Sequence, residues 1–303
     1  MTITSNRPAW LEALEHDGVA VVPAAIPPAE VAAFEADAYA WLGTFGYDPL
    51  DRTTWKRARL PPAWRTGMYS SAAHEAFVWR LRCVPGILAA FASAWDTSPE
   101  TLVASFDSIN ITRPLGKFGR NSKATKPWPH LDQDPGRAGL ELYQGIAVLS
   151  DSGPNDGGLC VLPGSHRLHS EYFKAFPPPP WKPNRIFRIP ARGMAWYAAR
   201  GVTKRKVEAK AGDLILWDSR VVHWNEDPIG ERIRLAAYVC YCPRSLIAED
   251  VLSKRVQLFY TRTWTNHKPF LAVAGKECVP RLAEPEETDT LVRLIGSSVE
   301  DST

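Results

Sequence analysis

The order of patterns along the chain predicts a mainly β fold with flanking helices, built as a jelly roll. Three observations carry that reading. The first hundred residues carry helical spacing, residues 101–245 are dominated by short strands, and the turns between those strands are dense in Gly, Pro, Asn and Asp. Helices first and many strands afterwards imply an all-β core with the helices packed on its outside. A closed or double-sheet roll is the natural way for such strands to hold a site inside. The chain has 303 residues and 45% apolar content, enough for one sizeable core. No internal repeat or domain-sized linker divides it. We read a single domain over 1–303: a helical elaboration (1–100), a jelly-roll core (about 101–245), and a C-terminal helix and tail (246–303).

Taken in order, Arg7 to Asp17 suits a short helix stopped by Gly18. Val19–Val22 reads as a buried strand. Pro27 and Pro28 open a second helix, with Val31, Phe34, Ala38, Trp41 and Leu42 on one face. Residues 44–71 are irregular and read as a loop. Ala72–Arg82 and Pro85–Trp95 read as two helices broken at Pro85, and Leu102–Thr112 as one strand. Leu115–Lys126 is polar and basic and suits a mobile loop. Glu141–Leu149 and Leu159–Leu162 are strands around the turn signal Ser152–Gly158. Ala175–Asn184, with Pro177–Pro180, is neither helix nor central strand and suits a stiff loop or lid. Lys206–Lys210 and Leu214–Trp217 are strands. Arg232–Cys242 alternates most cleanly: Ile233, Leu235, Ala237 and Val239 on one face, Arg232, Arg234, Ala236 and Tyr238 on the other. Leu246–Phe259 is a terminal helix, and the acidic tail after Cys278 reads as partly loose.

Composition excludes several classes. Net charge is +3, and the short run Lys204–Arg205–Lys206 gives way to Glu208, which argues for a solvated strand edge and against a nucleic-acid partner. The five cysteines, Cys83, Cys160, Cys240, Cys242 and Cys278, are odd in number, with no Cys-x-x-Cys pair. They suit reduced thiols in the cytoplasm and not a disulfide framework or zinc knuckle. Met1–Trp10 has no apolar signal region, and no run reaches membrane-spanning length. Oligomeric state is left open, a homodimer through the terminal helix included.

The chemistry gathers around Pro129–Asp134. On a strand, side chains two apart share a face, so His130 and Asp132 point into one cavity and Leu131 away. His223, on another strand, completes a two-histidine, one-carboxylate triad. That donor set suits non-haem Fe(II), because it leaves one face open for a co-substrate and O2. His130 and Asp132 as a hydrogen-bonded core pair is the bland alternative. His74, His169, His16 and His267 have no partner spacing and read as solvated; His166, in Pro-Gly-Ser-His, reads as barrel support.

Several separated motifs stand in a fixed order: His130-x-Asp132, Gly157–Gly158–Leu159–Cys160–Val161–Leu162–Pro163–Gly164–Ser165–His166, Ala211–Gly212–Asp213–Leu214, His223, and Arg234 eleven positions later. The series, over roughly residues 14 to 260, resembles the phytanoyl-CoA dioxygenase family of Fe(II)/2-oxoglutarate oxygenases. The resemblance implies a double-stranded β-helix fold with Fe(II) on His130, Asp132 and His223. It also implies that Arg234 pairs with the distal carboxylate of 2-oxoglutarate, a role that a guanidinium fork fits. Arg232, on the same strand face, is the rival. Gln144 points into the same barrel, where it either donates to 2-oxoglutarate or substrate or simply packs. Trp224–Asn225–Glu226 departs from the family's small residues at that point, so the phytanoyl substrate is not carried over.

The implied reaction is hydroxylation, or another C–H oxidation, of a small-molecule metabolite, with 2-oxoglutarate and O2 consumed and succinate and CO2 released. Trp217, Arg220 and Trp224 are candidates to touch substrate, as is Trp181; Arg220 could instead pair internally with Asp218. Two other classes stay open: a cupin-like metal enzyme that does not use 2-oxoglutarate, and a catalytically silent jelly-roll binding subunit.

Overall fold

The computed structural model describes residues 7–63, 67–114, 126–180 and 185–297. The strands run β1 (Val19–Val22), β2 (Met68–Tyr69), β3 (Leu102–Ala104), β4 (Ile109–Thr112), β5 (His130–Leu131), β6 (Tyr143–Val148), β7 (Gly158–Val161), β8 (Phe187–Arg188), β9 (Arg205–Lys206), β10 (Leu214–Asp218), β11 (His223–Glu226), β12 (Arg234–Pro243), β13 (Thr263–Thr265) and β14 (Ala274–Glu277). The helices are α1 (Ala9–Asp17), α2 (Pro28–Gly43), α3 (Ala76–Arg82), α4 (Pro85–Trp95), α5 (His169–Ala175), α6 (Ala191–Ala198), α7 (Glu249–Tyr260) and α8 (Asp289–Ile295).

The major sheet has the order β1-β10-β6-β12-β4-β2, with β3 also on β12; the minor sheet has the order β8-β5-β11-β7-β9. Every pairing is antiparallel. The alternation read in Arg232–Cys242 decides which face is which. Leu235, Ala237, Val239 and Tyr241 join a core built with α2, α3, α4 and α8. Ala236 and the half-buried Tyr238 face the other way, towards Ile146, Ile215 and Trp217 of the major sheet and Leu159 and Val161 of the minor sheet. The predicted β-rich architecture with helices outside it is therefore observed. No single helix among the described residues is long and apolar enough to cross a membrane. The apolar bent pair α3–α4 is core, with Phe77, Trp79, Leu81, Ile87 and Phe91 buried.

Several elements differ from expectation. Leu102–Thr112 is two strands, because Phe106 and Asp107 bulge out between bonds from Ser105 N to Cys240 O (2.8 Å) and from Tyr238 N to Ser108 O (3.0 Å). Residues 44–71 hold short 3-10 turns and β2 as well as loop. Lys206–Lys210 is not one continuous strand: Arg205–Lys206 form β9, and Ala209 makes an isolated antiparallel bridge with Ser152. The tail is not loose where described: α8 buries Leu291, Leu294 and Ile295 under a Thr288 cap. The acidic residues had hidden that amphipathic turn. The helix α7 buries Leu252, Leu258 and Phe259 within the chain. Leu115–Lys126 lies outside the described residues up to position 125, and Trp181 lies outside them too.

His74 and His169 are not solvated. Both are buried. His74 sits among Trp79, Phe106 and Phe259 and bonds Thr263 O (3.1 Å), while His169 packs edge-on against Phe173. Burial pushes the first down to about 3 and the second down to about 4. A histidine whose folded pKa lies below its unfolded value near 6.5 lends stability that is complete above that pH and drains away in acid. Stability should therefore fall as the pH drops from 6.5 towards 4, by about 1.4 kcal/mol per pH unit for each such ring. Urea unfolding of wild type and of His169→Asn across that range checks this. A flatter slope in the variant is expected, and parallel slopes would contradict the assignment.

Candidate metal centre

β5 and β11 are neighbours in the minor sheet, and His130 stands directly opposite His223. Their rings lie 4.2 Å apart, on the face turned towards the major sheet. Asp132, two residues on, joins them. His223 Nε2 is 3.2 Å from Asp132 Oδ2, and His130 Nε2 is 3.6 Å from Asp132 Oδ1. One donor atom from each of the three lies within 4.8 Å of the others, and all three residues are buried. Two ligands about 2.1 Å from one ion at a right angle stand about 3 Å apart, so these spacings fit a single cation.

Protonation suits the same role. His130 Nδ1 lies 3.1 Å from Trp128 O, and His223 Nδ1 lies 3.0 Å from Val221 O. Each Nδ1 proton is thus held by a backbone carbonyl, leaving the Nε2 lone pair for the shared point. Burial and the His223 imidazole push His130 down to about 3. For Asp132, burial opposes ionisation, but the rings of His267, His130 and His223 outweigh it and hold the carboxyl well below its usual range. At neutral pH the set is one anion and a neutral imidazole donor at His130.

Gln144 comes from β6, where it pairs with Trp217 on one side and Cys240 on the other. Its Nε2 donates to Asp132 Oδ2 at 2.8 Å, while its buried Oε1 has no partner. Gln144 thus holds the Asp132 carboxylate and also lines the cavity. Arg234, at the start of β12, is only 4% exposed and donates to Asn110 Oδ1 at 2.6 Å. No carboxylate among the described residues lies within ion-pair distance of it. Arg232, by contrast, points out with its side chain 57% exposed, towards Asp151 and Asp156. Gly158 has φ +143°, and a Cβ there would sit 3.3 Å from Arg234 Nε. Gly158 thus leaves room beside the guanidinium.

The triad and Gln144 border a cavity of about 390 Å³, lined also by Trp217 and Tyr238 among others; Arg234 is not among its lining residues. Among the described residues, Trp217 is the one proposed substrate tryptophan that reaches the cavity. Trp224 faces the other way, into a cluster with Tyr172 and Tyr197, because it is one residue from His223 on the same strand. Arg220 lies in a separate pocket and forms a bidentate pair with Asp218 (2.6 Å), the internal pairing. His166 supports the barrel as expected, 3.2 Å from Glu15 O.

The sequence reading missed His267, which is not solvated. Its Nε2 is 3.9 Å from Asp132 Oδ2 and it lines the cavity with Trp264 and Asn266. All three ride on the β13–β14 hairpin. That hairpin is held by a buried Lys268–Glu141 pair (2.9 Å) and by Thr265, whose N donates to Phe106 O. Gly275 lets the Trp264 ring lie against it, since a Cβ there would fall inside the ring.

With the geometry in hand, comparison with known proteins is decisive. A model of the family described as phytanoyl-CoA dioxygenase (PhyH) matches residues 14–235. The chain belongs to the PhyH family. It is 33% identical over 272 residues to Ava biosynthesis cluster protein O of Aspergillus versicolor, covering 86% of this chain and 85% of that protein. Among solved structures, the epimerase SnoN, in complex with Fe3+, alpha-ketoglutarate and nogalamycin RO, superposes with a TM-score of 0.53 at 19% identity, over 78% of this chain and 83% of SnoN. The carbocyclase SnoK from nogalamycin biosynthesis gives 0.50 at 18% identity, over 80% of this chain and 85% of SnoK. These likenesses agree with a double-stranded β-helix. The β13–β14 hairpin lies beyond the part matched to the PhyH model.

Removing the carboxylate's guide should loosen the site without unfolding it. Gln144→Leu is expected to weaken Co(II) or Fe(II) binding about 10- to 100-fold. A metal titration by visible absorbance reads this, and unchanged affinity would show that Gln144 merely packs.

Proposed function

We propose that the chain is an Fe(II)- and 2-oxoglutarate-dependent oxygenase that hydroxylates a small-molecule metabolite. The observation that carries the reading is the convergence of His130, Asp132 and His223 on one point in one cavity. Two imidazoles and one carboxylate form the donor set that holds Fe(II) while leaving a face open. His130, Asp132 and His223 would hold the iron, and Arg234 would pair with the far carboxylate of 2-oxoglutarate. A buried cation with no carboxylate partner supports that role, because an incoming anion removes the cost of its isolation.

When bound, the iron and its co-substrates supply the oxidation of a substrate C–H bond, as 2-oxoglutarate and O2 give succinate and CO2. The chain contributes binding, orientation and exclusion of water. Gln144 keeps Asp132 in place, and the two backbone carbonyls keep both imidazoles turned inward. Trp128 stacks on His130 (4.2 Å) and Trp217 lies beside His223 (5.4 Å), so the ligands are shielded on their flanks by aromatic rings. The biosynthesis-cluster relative supports a small metabolite as substrate. SnoN and SnoK carry epimerase and carbocyclase in their names, so the fold is compatible with other outcomes of the same oxidation. The intact triad and guanidinium disfavour a silent binding subunit.

Anaerobic addition of 2-oxoglutarate to the Fe(II) protein should give a weak visible charge-transfer band, and titrating that band reads the affinity. Arg234→Met should weaken 2-oxoglutarate about 10- to 150-fold, the range for lost hydrogen bonds to a charged group. Arg232→Ala should leave it within about twofold. An absent band in folded, iron-loaded protein would sink the proposal, and a larger effect at Arg232 would reverse the anchor.

A further inference from the structure

The bulge that splits β3 from β4 has a consequence at the far end of the cavity. Phe106 turns into the aromatic core against Trp79 and Phe259. Its neighbour Asp107 turns to the cavity wall together with Ser108. The carboxylate is near the inward side chains of β12: burial raises the Tyr238 and Cys240 pKa, and the charge of Asp107 adds to both. It is only 8% exposed. One oxygen, Oδ1, accepts from Ser108 N (2.6 Å) and Ser108 Oγ (2.8 Å). The other has no hydrogen-bond partner, and Asp107 has no ion pair among the described residues. Arg82 is close, but it donates to the carbonyls of Ala73 and Asp107 and not to the carboxylate.

We infer that Asp107 is a substrate-anchoring residue, and that the substrate is a compact, largely apolar molecule carrying a basic nitrogen. The inference deepens the oxygenase reading and rests on it, since it takes this cavity as the substrate chamber. An isolated buried carboxylate is costly, and a hydrogen-bond donor alone leaves its charge unmatched. An ammonium or similar cation satisfies both needs. Burial raises the Asp107 pKa against the pull of His267, Ser108 and Arg82, which agrees with a charge short of a counter-ion. Much of the remaining wall is apolar or aromatic, through Ile146, Leu159, Ile186, Trp128, Trp217 and Trp264, with Ser70, Asn225, Asn266 and His267 as its polar members. It suits a hydrocarbon or aromatic body.

The two charges stand apart along β12. Arg234 is paired with Thr112, whereas Ser108 bonds at Tyr238, four residues on. At about 3.3 Å per residue that is roughly 13 Å. That backbone spacing sets Asp107 and Arg234 apart, and no ion pair joins them among the described residues.

The test uses 4-phenylbutylamine and its neutral counterpart 4-phenylbutan-1-ol, titrated calorimetrically into anaerobic protein loaded with Fe(II) and 2-oxoglutarate. Wild type should bind the amine at least about tenfold more tightly than the alcohol, a preference of the size one charge-assisted bond gives. Asp107→Asn keeps an acceptor for Ser108 and should erase the preference, leaving the alcohol within about twofold. Equal binding of the two probes by wild type, no binding of either, or a preference that survives in the variant would overturn the inference. The wild-type ratio stands by itself if the variant does not fold. The charge-transfer band reports separately on the oxygenase reading: its loss would sink that reading, whereas an intact band with no amine preference would sink only this one.

Discussion

One strand pairing holds the site together: His130 opposite His223 across β5 and β11. Because side chains alternate, a slip of one residue would turn His223 away and bring Trp224 to the metal face. The register is pinned from both sides. Ser165 Oγ accepts from Val222 N (2.9 Å), and Leu162 N donates to Val222 O (2.9 Å). Beyond β5, Gln133 is buried and ties the turn together through Arg137 O, Gly139 O, Glu141 N and Ser219 Oγ. β5 itself is only two residues long, so its position depends on these neighbours more than on its own ladder.

The major sheet contributes the opposite wall and the charge pattern. β6 and β12 run side by side, placing Gln144 level with Cys240 and leaving Arg234 at one end. The C-terminal segment then closes the far side. The β13–β14 hairpin brings Trp264, Asn266 and His267 to the cavity and locks itself down through Lys268–Glu141 and through Thr265 to Phe106. A buried pair of this kind is weak evidence of stability but strongly fixes position, since losing either partner strands a charge. The same contact holds the Phe106–Asp107 bulge. The family-matched core and the segment after it therefore build different walls of one chamber.

What the sequence made legible is what period and motif can encode. The alternation of β12 separated the core face from the cavity face, and His-x-Asp named two groups that share a side. Trp224 was within reach of the same rule: a residue adjacent to His223 on a strand must face away, and it does. The distinction between Arg232 and Arg234 was not, because both share a face and only the end of pairing with β4 leaves the first outside. Asp107 was hidden inside what reads as one strand, since a bulge is visible only through the bonds of its partner. His74, His169 and His267 were misread for a related reason. His74 is closed in by Phe106 and Phe259 as well as by nearby Trp79, His169 packs on Phe173, and His267 rides on a hairpin whose strands are three and four residues long, too short for a periodic signal.

The central claim is that three side chains from β5, the turn after it and β11 share one cation. The most direct measurement is a crystal structure of protein soaked anaerobically with Mn(II), read from the anomalous difference map. The account predicts a single strong peak about 2.0–2.2 Å from His130 Nε2, His223 Nε2 and an Asp132 carboxylate oxygen. A peak elsewhere, or ordered water at that point in protein that has taken up metal, would contradict it.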